Sequence, residues 1–132
     1  MNAMAISYEL TQDLLHYTVE GDVDHAVGLD VLRRGLEDAA AATGRGEGRA
    51  RPVLFDIRKS AESRAAEEIR AIATVLGGFR ESLDGRCAVI VATPLYYGVS
   101  RMFSTYAEEY GIEIEIFGTL EEGTFWLLNA PH

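Results

Sequence analysis

The sequence predicts an α/β domain built on a five-stranded, mostly parallel sheet with an antiparallel first edge strand. Five segments carry the alternating or continuous apolar pattern of strands, and segments with helical spacing of apolar residues follow the last four of them. The predicted order is therefore β-β-α-β-α-β-α-β-α. Alternation of strands and helices implies parallel strands joined by right-handed crossovers. At 132 residues the chain has the usual size of one domain, which we assign to residues 1–132.

The first two strands are predicted to form a hairpin. Residues 6–10 and 14–20 are separated only by the polar turn 11–13, and so short a connection suits antiparallel neighbours. Asp24 is then expected to cap a helix that runs to about Ala42. Gly28 and Gly35 lie on the apolar stripe of this helix, where they would let it pack closely on the sheet.

A glycine-rich segment, residues 43–51, predicts a flexible surface loop. Its arginines (Arg45, Arg49 and Arg51) suit either a solvated loop or a phosphate site, and the solvated loop is the simpler interpretation. The strands predicted at 53–57 and 87–92 are almost continuously apolar, which favours central positions. The first strand and the fifth, at 112–117, alternate cleanly, which favours edges.

The remaining helices have recognisable starts and ends. The helix after the third strand is expected to present apolar residues from Ile69 to Leu83, after a polar junction at 58–64. Thr93 and the proline that follows it are typical of a helix start. Thr119 and Glu122 form a capping-box pattern before the last helix.

Both faces of the two central strands are apolar by sequence, yet right-handed crossovers would place the connecting helices on one face only. The second face therefore needs a cover. The terminal helix, the first helix wrapping round, and a second subunit all satisfy this requirement. We accordingly include a homodimer among the expectations.

Charge and composition exclude several classes of function. The chain has 12 Lys and Arg residues against 21 Asp and Glu, a net charge of −9. Nucleic acids and anionic membranes require a basic surface, so neither is expected as a partner. The longest apolar run, residues 87–92, is far shorter than the roughly 20 residues that span a bilayer. Without signal-peptide features, and with one cysteine, the chain is expected to be cytoplasmic.

Motifs of catalysis and cofactor binding are absent from the sequence. There is no phosphate loop, nucleophile elbow, HExxH or CxxC motif. The three histidines (His16, His25 and His132) are scattered, which argues against a metal site. Cys87 lies within an apolar strand and is expected to be a buried structural thiol. We expect no metal, no cofactor and no catalytic residues.

Ligands of parallel α/β sheets bind beyond the carboxyl ends of the strands. The polar and aromatic residues expected at this edge are Asp22 after the second strand, Arg58, Lys59, Ser60 and Ser63 after the third, and Thr93, Tyr96, Tyr97 and Arg101 after the fourth. The alternative roles are structural. Either serine, or Thr93, would serve as a helix cap, and the cations would simply be solvated.

The element order, a strand ending in VLFDI and the segment CAVIVATPLYYGVSRMFSTYAEEYGIEIEIFGTLEEGTFWL resemble the SpoIIAA-like (STAS-type) domains. More closely, these segments resemble the bacterial stand-alone STAS/SEC14-like proteins of unassigned function. The resemblance implies a non-catalytic regulatory or protein-interaction module. Anti-sigma-factor antagonists of this fold bind a partner kinase and are switched by phosphorylation of a serine after the third strand. The matching positions are Ser60 and Ser63, although Glu62–Ala65 replaces the family's Asp-Ser-Ser-Gly-type motif.

Two alternatives come from other classes of protein. SEC14-like relatives imply an apolar pocket between helices and sheet that holds a hydrophobic small molecule or lipid. The residues expected to line it are Phe79, Met102, Phe103, Tyr106 and Trp126, which would otherwise be ordinary core. The last alternative is an enzyme of unrecognised type that uses the polar residues at the strand ends.

Overall fold

Five strands form one sheet with helices on both faces. The computed structural model describes residues 5–60 and 65–129, apart from the side chains of residues 94–96. The strands are β1 (Ala5–Leu10), β2 (Leu15–Gly21), β3 (Arg51–Ser60), β4 (Leu83–Ile90) and β5 (Glu113–Phe117). The helices are α1 (His25–Gly44), α2 (Ala66–Gly78), α3 (Pro94–Glu108) and α4 (Leu120–Asn129), with a short 3-10 helix at Arg80–Ser82.

The strands follow one another across the sheet in the order β1-β2-β3-β4-β5. β1 is antiparallel to β2, and every other neighbouring pair is parallel. The predicted fold class, the antiparallel edge strand and the central position of β3 are confirmed. Pairing of β2 with β3 continues to Gly21 and Ser60, whereas pairing of β3 with β4 reaches only Asp56 and Ile90. β3 therefore projects beyond β4 at the carboxyl edge of the sheet.

The main core lies between the sheet and helices α1, α2 and α3. Leu15 and Val53 from the strands and Leu36 and Leu76 from the helices are fully buried in it. Tyr17 is also inaccessible, and its ring stacks on Phe55 with 5.2 Å between centroids. This layer is the one predicted from the crossover connections.

Helix α4 covers the other face of the sheet over β3, β4 and β5. Leu127 is 1% exposed and belongs to a second core with Leu54 and Ile90. The helix lies so close that a Cβ atom at Gly123 would be 2.4 Å from Ile90 Cδ1. The sequence left three possible covers for this face: the terminal helix, the first helix or a second subunit. The structure shows that the terminal helix covers it. The apolar strand residues thus need no second subunit, and the homodimer stays a prediction.

The loop prediction at residues 43–51 is wrong at both ends. α1 continues to Gly44, and Arg51 is the first residue of β3, with 4% of its surface exposed. Its Nε donates to the Thr11 carbonyl oxygen and its NH2 donates to the Glu47 carbonyl oxygen, both at 2.6 Å. Arg45 pairs with the Glu47 carboxylate, also at 2.6 Å. These two arginines hold the loop in place, and the guanidinium nitrogen of Arg51 that has no hydrogen-bond partner, NH1, is buried.

The start of α2 also differs from the expectation. Ser60 ends β3 because it pairs with Gly21, so it does not cap the helix. The N-cap is Ala65, whose amide nitrogen donates to the Glu68 carboxylate at 3.0 Å. Ser63, the other predicted cap and modification site, lies outside the described residues.

At its other end α2 stops at Gly78, five positions before the predicted Leu83, which instead begins β4.

The N-terminal caps predicted for α4 and α3 agree better with the structure. Thr119 Oγ1 accepts from the Glu122 amide at 3.2 Å, as the capping-box pattern predicts. Thr93 occupies the N-cap position of α3, but its side chain makes no capping hydrogen bond.

Candidate functional site: an apolar cavity at the carboxyl edge

An apolar cavity of about 120 Å³ opens between the sheet and helices α1, α2 and α3. Its floor is formed by Val19 of β2, Phe55 and Ile57 of β3, and Val89 of β4. Phe55 and Ile57 both reach it because alternate residues of a strand point to the same face. The cavity thus lies near the carboxyl ends of the parallel strands, where this class of sheet binds ligands.

The three helices form the walls of the cavity. Leu29 and Leu32 contribute from α1, Ile69 and Ile72 from α2, and Phe103 from α3. Helices α2 and α3 begin after strands that end at this edge, so their first turns stand beside the opening. Their apolar stripes therefore continue from the packed core into the cavity wall.

A glycine helps to keep the space open. Gly28 lines the cavity from the first turns of α1. A glycine there adds no side-chain volume to the wall. Of the two glycines predicted to bring α1 close to the sheet, Gly35 has this role, since a Cβ atom there would be 2.3 Å from the Tyr17 hydroxyl oxygen.

Two lining residues bring polar side-chain atoms to the cavity. Ser100 of α3 is 3% exposed. His25 lies at the start of α1, with its Nδ1 3.8 Å from Glu68 Oε2. No lysine or arginine is among the described residues that line the space. The wall is therefore hydrocarbon with one buried hydroxyl and one imidazole.

None of the predicted strand-end residues whose side chains are described lines this cavity, and most of them lie on the surface around the same edge. Those with exposed side chains are Asp22, Arg58, Lys59, Thr93, Tyr97 and Arg101. Ser60 is only 8% exposed. The side chain of Tyr96 falls outside the described set. The edge predicted from the strand order thus presents a polar rim, whereas the space between sheet and helices is apolar.

Arg58 forms an ion pair with Asp56 on the other face of the sheet. Its Nε donates to Asp56 Oδ1 at 2.9 Å and its NH2 donates to Oδ2 at 2.8 Å. Asp56 alternates with Phe55 and Ile57, so this ion pair lies on the face that α4 covers. The bidentate hydrogen bonds from Arg58 lower the pKa of Asp56 below its ordinary value. Arg58 is thereby held away from the cavity.

The five residues predicted to line an apolar pocket are not gathered in one place. Phe103 lines the cavity, whereas Phe79 and Tyr106 pack against the main core and Met102 is 38% exposed. Trp126 lies on the opposite face, with its ring centroid 5.8 Å from that of Phe117. The sheet separates it from Phe103, so these two aromatic residues cannot contact the same ligand.

Aliphatic side chains form most of the site, and the sequence analysis did not single them out. A residue such as Ile72 has the same helical spacing whether the space beside it is filled or empty. Two signals were available. Gly28 lies within the apolar stripe of α1, and Ser100 lies between Val99 and Phe103 on α3. Each interrupts an apolar stripe, although neither by itself predicts a void.

Other reactive groups in the described chain offer no competing site. Cys87 is 1% exposed, and burial raises the pKa of its thiol well above the ordinary value. This agrees with the predicted structural role, because the thiolate is the nucleophilic form. The described residues contain no cluster of three or more side chains suited to hold a metal ion.

Comparison with solved structures identifies the architecture. An uncharacterised protein of the DUF3478 family with a SpoIIAA-like fold, from Shewanella loihica PV-4, is 18% identical to this chain. The match covers 96% of this chain and 95% of that one, with a TM-score of 0.61. The chain has a SpoIIAA-like fold. At this identity the SpoIIAA-like match concerns the fold alone.

Sequence comparisons add no further relative. No family model matches the SpoIIAA-like chain, and no curated protein matches it. Among its described helices, none is both long and apolar enough to cross a membrane. The cavity is therefore interpreted from its own geometry.

Proposed function

We propose that the protein is a non-catalytic binding protein for a small apolar molecule, which it holds in the cavity between the sheet and α1, α2 and α3. The observation that supports this function is the cavity itself, about 120 Å³ with almost entirely hydrocarbon walls. Protein interiors are close-packed, and few voids in them exceed the size of a water molecule. A cavity of about 150 Å³ lined by Leu, Ile and Phe stays dry and binds benzene.

The size of the cavity sets the expected affinity. A ligand of benzene size has roughly six to eight heavy atoms, and tiny ligands reach at most about −1.5 kcal/mol per atom. Burial of apolar surface contributes about 25 cal/mol per Å². The first figure is an upper limit that few ligands reach, so we expect weaker binding, with dissociation constants between roughly 1 μM and 1 mM. The protein is thus expected to bind such molecules reversibly.

The test is titration of the protein with toluene, followed by NMR or calorimetry, in the wild type and in Val99→Phe. Val99 lines the cavity, so a phenyl ring in its place fills the space and should abolish binding. Val27→Phe is the matched control, because Val27 is on α1 but 52% exposed. Equal toluene affinity in the wild type and in Val99→Phe would contradict the proposal.

A second candidate is the regulatory interaction module expected from the resemblance. Lys59, Tyr97 and Arg101 favour it, because all three are exposed at the carboxyl edge and neither cation forms an ion pair within the described chain. Phosphate mapping on protein purified from its own cells tests this candidate. Phosphate on Ser63 would support a switch, whereas Ser60, at 8% exposed, is a poor kinase substrate without local opening. An unmodified protein would contradict it.

A further inference from the structure

We infer that the outer side of α4, together with the polar face of β1 and β2 beside it, is a docking surface for a basic amphipathic helix of a partner protein. This surface lies on the opposite side of the sheet from the cavity, so it would give the protein a second binding role. Three observations support it: an exposed pair of apolar side chains on α4, a polar part of the sheet next to them, and acidic charge around both.

Phe125 and Leu128 form an apolar strip on α4. Their side chains are 69% and 47% exposed, and Phe125 is the most exposed large apolar residue of the described chain. Residues three apart on a helix are neighbours, so these two side chains make one continuous strip. Leu120 and Thr124 line the same shallow groove on the surface of the helix. The strip is therefore able to pack against an apolar face of another helix.

The apolar strip lies on the side of α4 that is turned toward β3. Trp126 marks the other side, since its ring centroid is 5.8 Å from that of Phe117, at the end of β5. The pKa of Arg58 on β3 is raised by its hydrogen bonds to Asp56 and, to a smaller extent, by the charge of Glu121, which places Glu121 near β3. The strip follows Glu121 at spacings of four and three residues, so it shares that side of the helix.

A polar part of the sheet adjoins this side of α4. α4 packs on β3, β4 and β5, while α1, α2 and α3 lie on the opposite face. The residues of β1 and β2 that point to the α4 side form three opposed pairs: Glu9 with His16, Ser7 with Thr18, and Ala5 with Glu20. The β1 members of these pairs are exposed, and the β2 members are partly exposed. The docking surface thus extends from the apolar strip across these two strands.

Charge selects the kind of helix that fits. The described surface includes the carboxylates of Glu9, Glu20 and Glu121, while its arginine, Arg58, is already paired with Asp56 at 2.8 Å. A helix with leucine on one face and lysine or arginine beside it would bury the apolar strip and pair with the glutamates. A second copy of this chain is disfavoured, because it would bring a net charge of −9 to an acidic surface.

Titration of the isotope-labelled protein with an amphipathic peptide, followed by NMR, tests the inference. The peptide has leucine on one helical face, lysine on the other, and about 18 residues, enough to form a helix in isolation. We expect it to shift the amide signals of α4, β1 and β2 and to leave those of α1 and α3 in place. Phe125→Ala should weaken binding roughly tenfold, as loss of a central aromatic contact does. Tyr97→Ala is the matched control, because Tyr97 is 48% exposed but lies on α3.

A second pair of variants tests the charge complementarity. Glu9→Gln combined with Glu20→Gln should weaken binding roughly two- to tenfold, the range of two exposed ion pairs. Glu108→Gln combined with Glu109→Gln removes the same charge at the end of α3, on the other face of the sheet. Long-range attraction of the cationic peptide falls equally in both double variants, so only contact with the surface distinguishes them.

The outcomes decide the inference and the identity of the occupant. Weaker binding in Phe125→Ala and in the Glu9 and Glu20 variant, with wild-type affinity in both controls, would support it. Equal affinity of Phe125→Ala and the wild type, or no binding up to roughly 1 mM peptide, would overturn it. A dimer of the unbound protein that dissociates in Phe125→Ala would also overturn it, because a second copy would then occupy the surface. Toluene affinity, which this surface does not affect, reports that each variant is folded.

Discussion

Gly35 is the residue at which the packing of α1 on the sheet is most sharply defined. The Tyr17 hydroxyl donates to the Leu32 carbonyl oxygen at 2.6 Å, which fixes the ring beneath the helix. A methyl group at position 35 would lie 2.3 Å from that hydroxyl oxygen. We expect Gly35→Ala to lower the free energy of unfolding by about 1–3 kcal/mol, because the overpacking outweighs the gain in helix propensity.

Urea denaturation measures the effect, with Gly98→Ala as the control. Gly98 is exposed on α3, and a Cβ atom there would have no neighbour within 4 Å. The same substitution should therefore be neutral or stabilise by up to about 1 kcal/mol. Similar stability of the two variants would show that Gly35 is not restricted by Tyr17.

The ion pair of Asp56 and Arg58 predicts a dependence of stability on pH. Because Arg58 lowers the pKa of Asp56 in the folded state, the carboxylate contributes stability above its unfolded pKa of about 3.9. That contribution is lost as pH falls through the lower folded pKa. Asp56→Asn should therefore be less stable than the wild type at pH 7, and the gap should shrink on acidification below about pH 4.

Thermal or chemical unfolding from pH 7 to pH 2 checks this expectation. Asp30→Asn is a suitable control, because the Asp30 and Arg34 pair, at 2.6 Å, is more than half exposed on α1. Exposed pairs contribute little, so Asp30→Asn should remain close to the wild type throughout. If the difference in stability between the wild type and Asp56→Asn did not change with pH, the ionised carboxylate could not be the cause of that difference.

At the scale of elements, α4 has a role that no other described helix shares, because it covers the second face of the sheet over β3–β5. Its neighbouring residues Leu127 and Leu128 are 1% and 47% exposed. Leu127→Ala should destabilise the fold by about 2–5 kcal/mol through loss of buried surface and an unfilled cavity. Leu128→Ala should change stability by less than about 0.5 kcal/mol.

The fluorescence of the adjacent Trp126 is a direct way to follow unfolding of the two leucine variants. Its ring lies 5.6 Å from the Arg86 guanidinium carbon, and its carbonyl oxygen accepts from Arg86 NH1 at 3.1 Å. Tryptophan fluorescence during urea unfolding therefore reports the release of α4 from the sheet. Equal midpoints for the two leucine variants would mean that α4 contributes little to the stability of the domain.

The strands and helices were predictable from the sequence, but the residues at which several of them begin or end were not. Period-two and helical patterns are local properties, so they identify the strands and helices. The end of β3 at Ser60 depends on pairing with Gly21, and the burial of Arg51 depends on the carbonyl oxygen of Thr11. Both partners lie about 40 residues away in sequence, and no local pattern encodes them.

The location of the candidate site was predictable from the sequence, but the residues that line it were not. Strand order led to the carboxyl edge, where Lys59, Thr93 and Tyr97 are indeed exposed. The cavity beside them is lined mainly by aliphatic residues that were assigned to the core. Hydrophobic spacing reports that a side chain turns inward. It carries no information on whether neighbouring atoms fill the space, which only the three-dimensional packing decides.

At the scale of the whole molecule, α1, α2 and α3 cover one face of the sheet, and α4 covers the other over β3–β5. Its outer strand β5 presents Glu113 and Glu115 to solvent, and such charges discourage pairing with another sheet. Because α4 already covers the apolar residues of the second face, an uncovered sheet no longer argues for association. Sedimentation at micromolar concentration would decide whether the expected homodimer forms through another surface.

The position of α4 at the end of the element order has a consequence for folding during synthesis on the ribosome. Each strand pairs with the one synthesised just before it, so the sheet is able to assemble progressively as the chain emerges. The helix that covers the second face follows all five strands. Until it emerges, Leu54, Ala88 and Ile90 remain bare on a nascent sheet. That interval is when chaperones would be needed, because transiently exposed apolar strands are prone to aggregate.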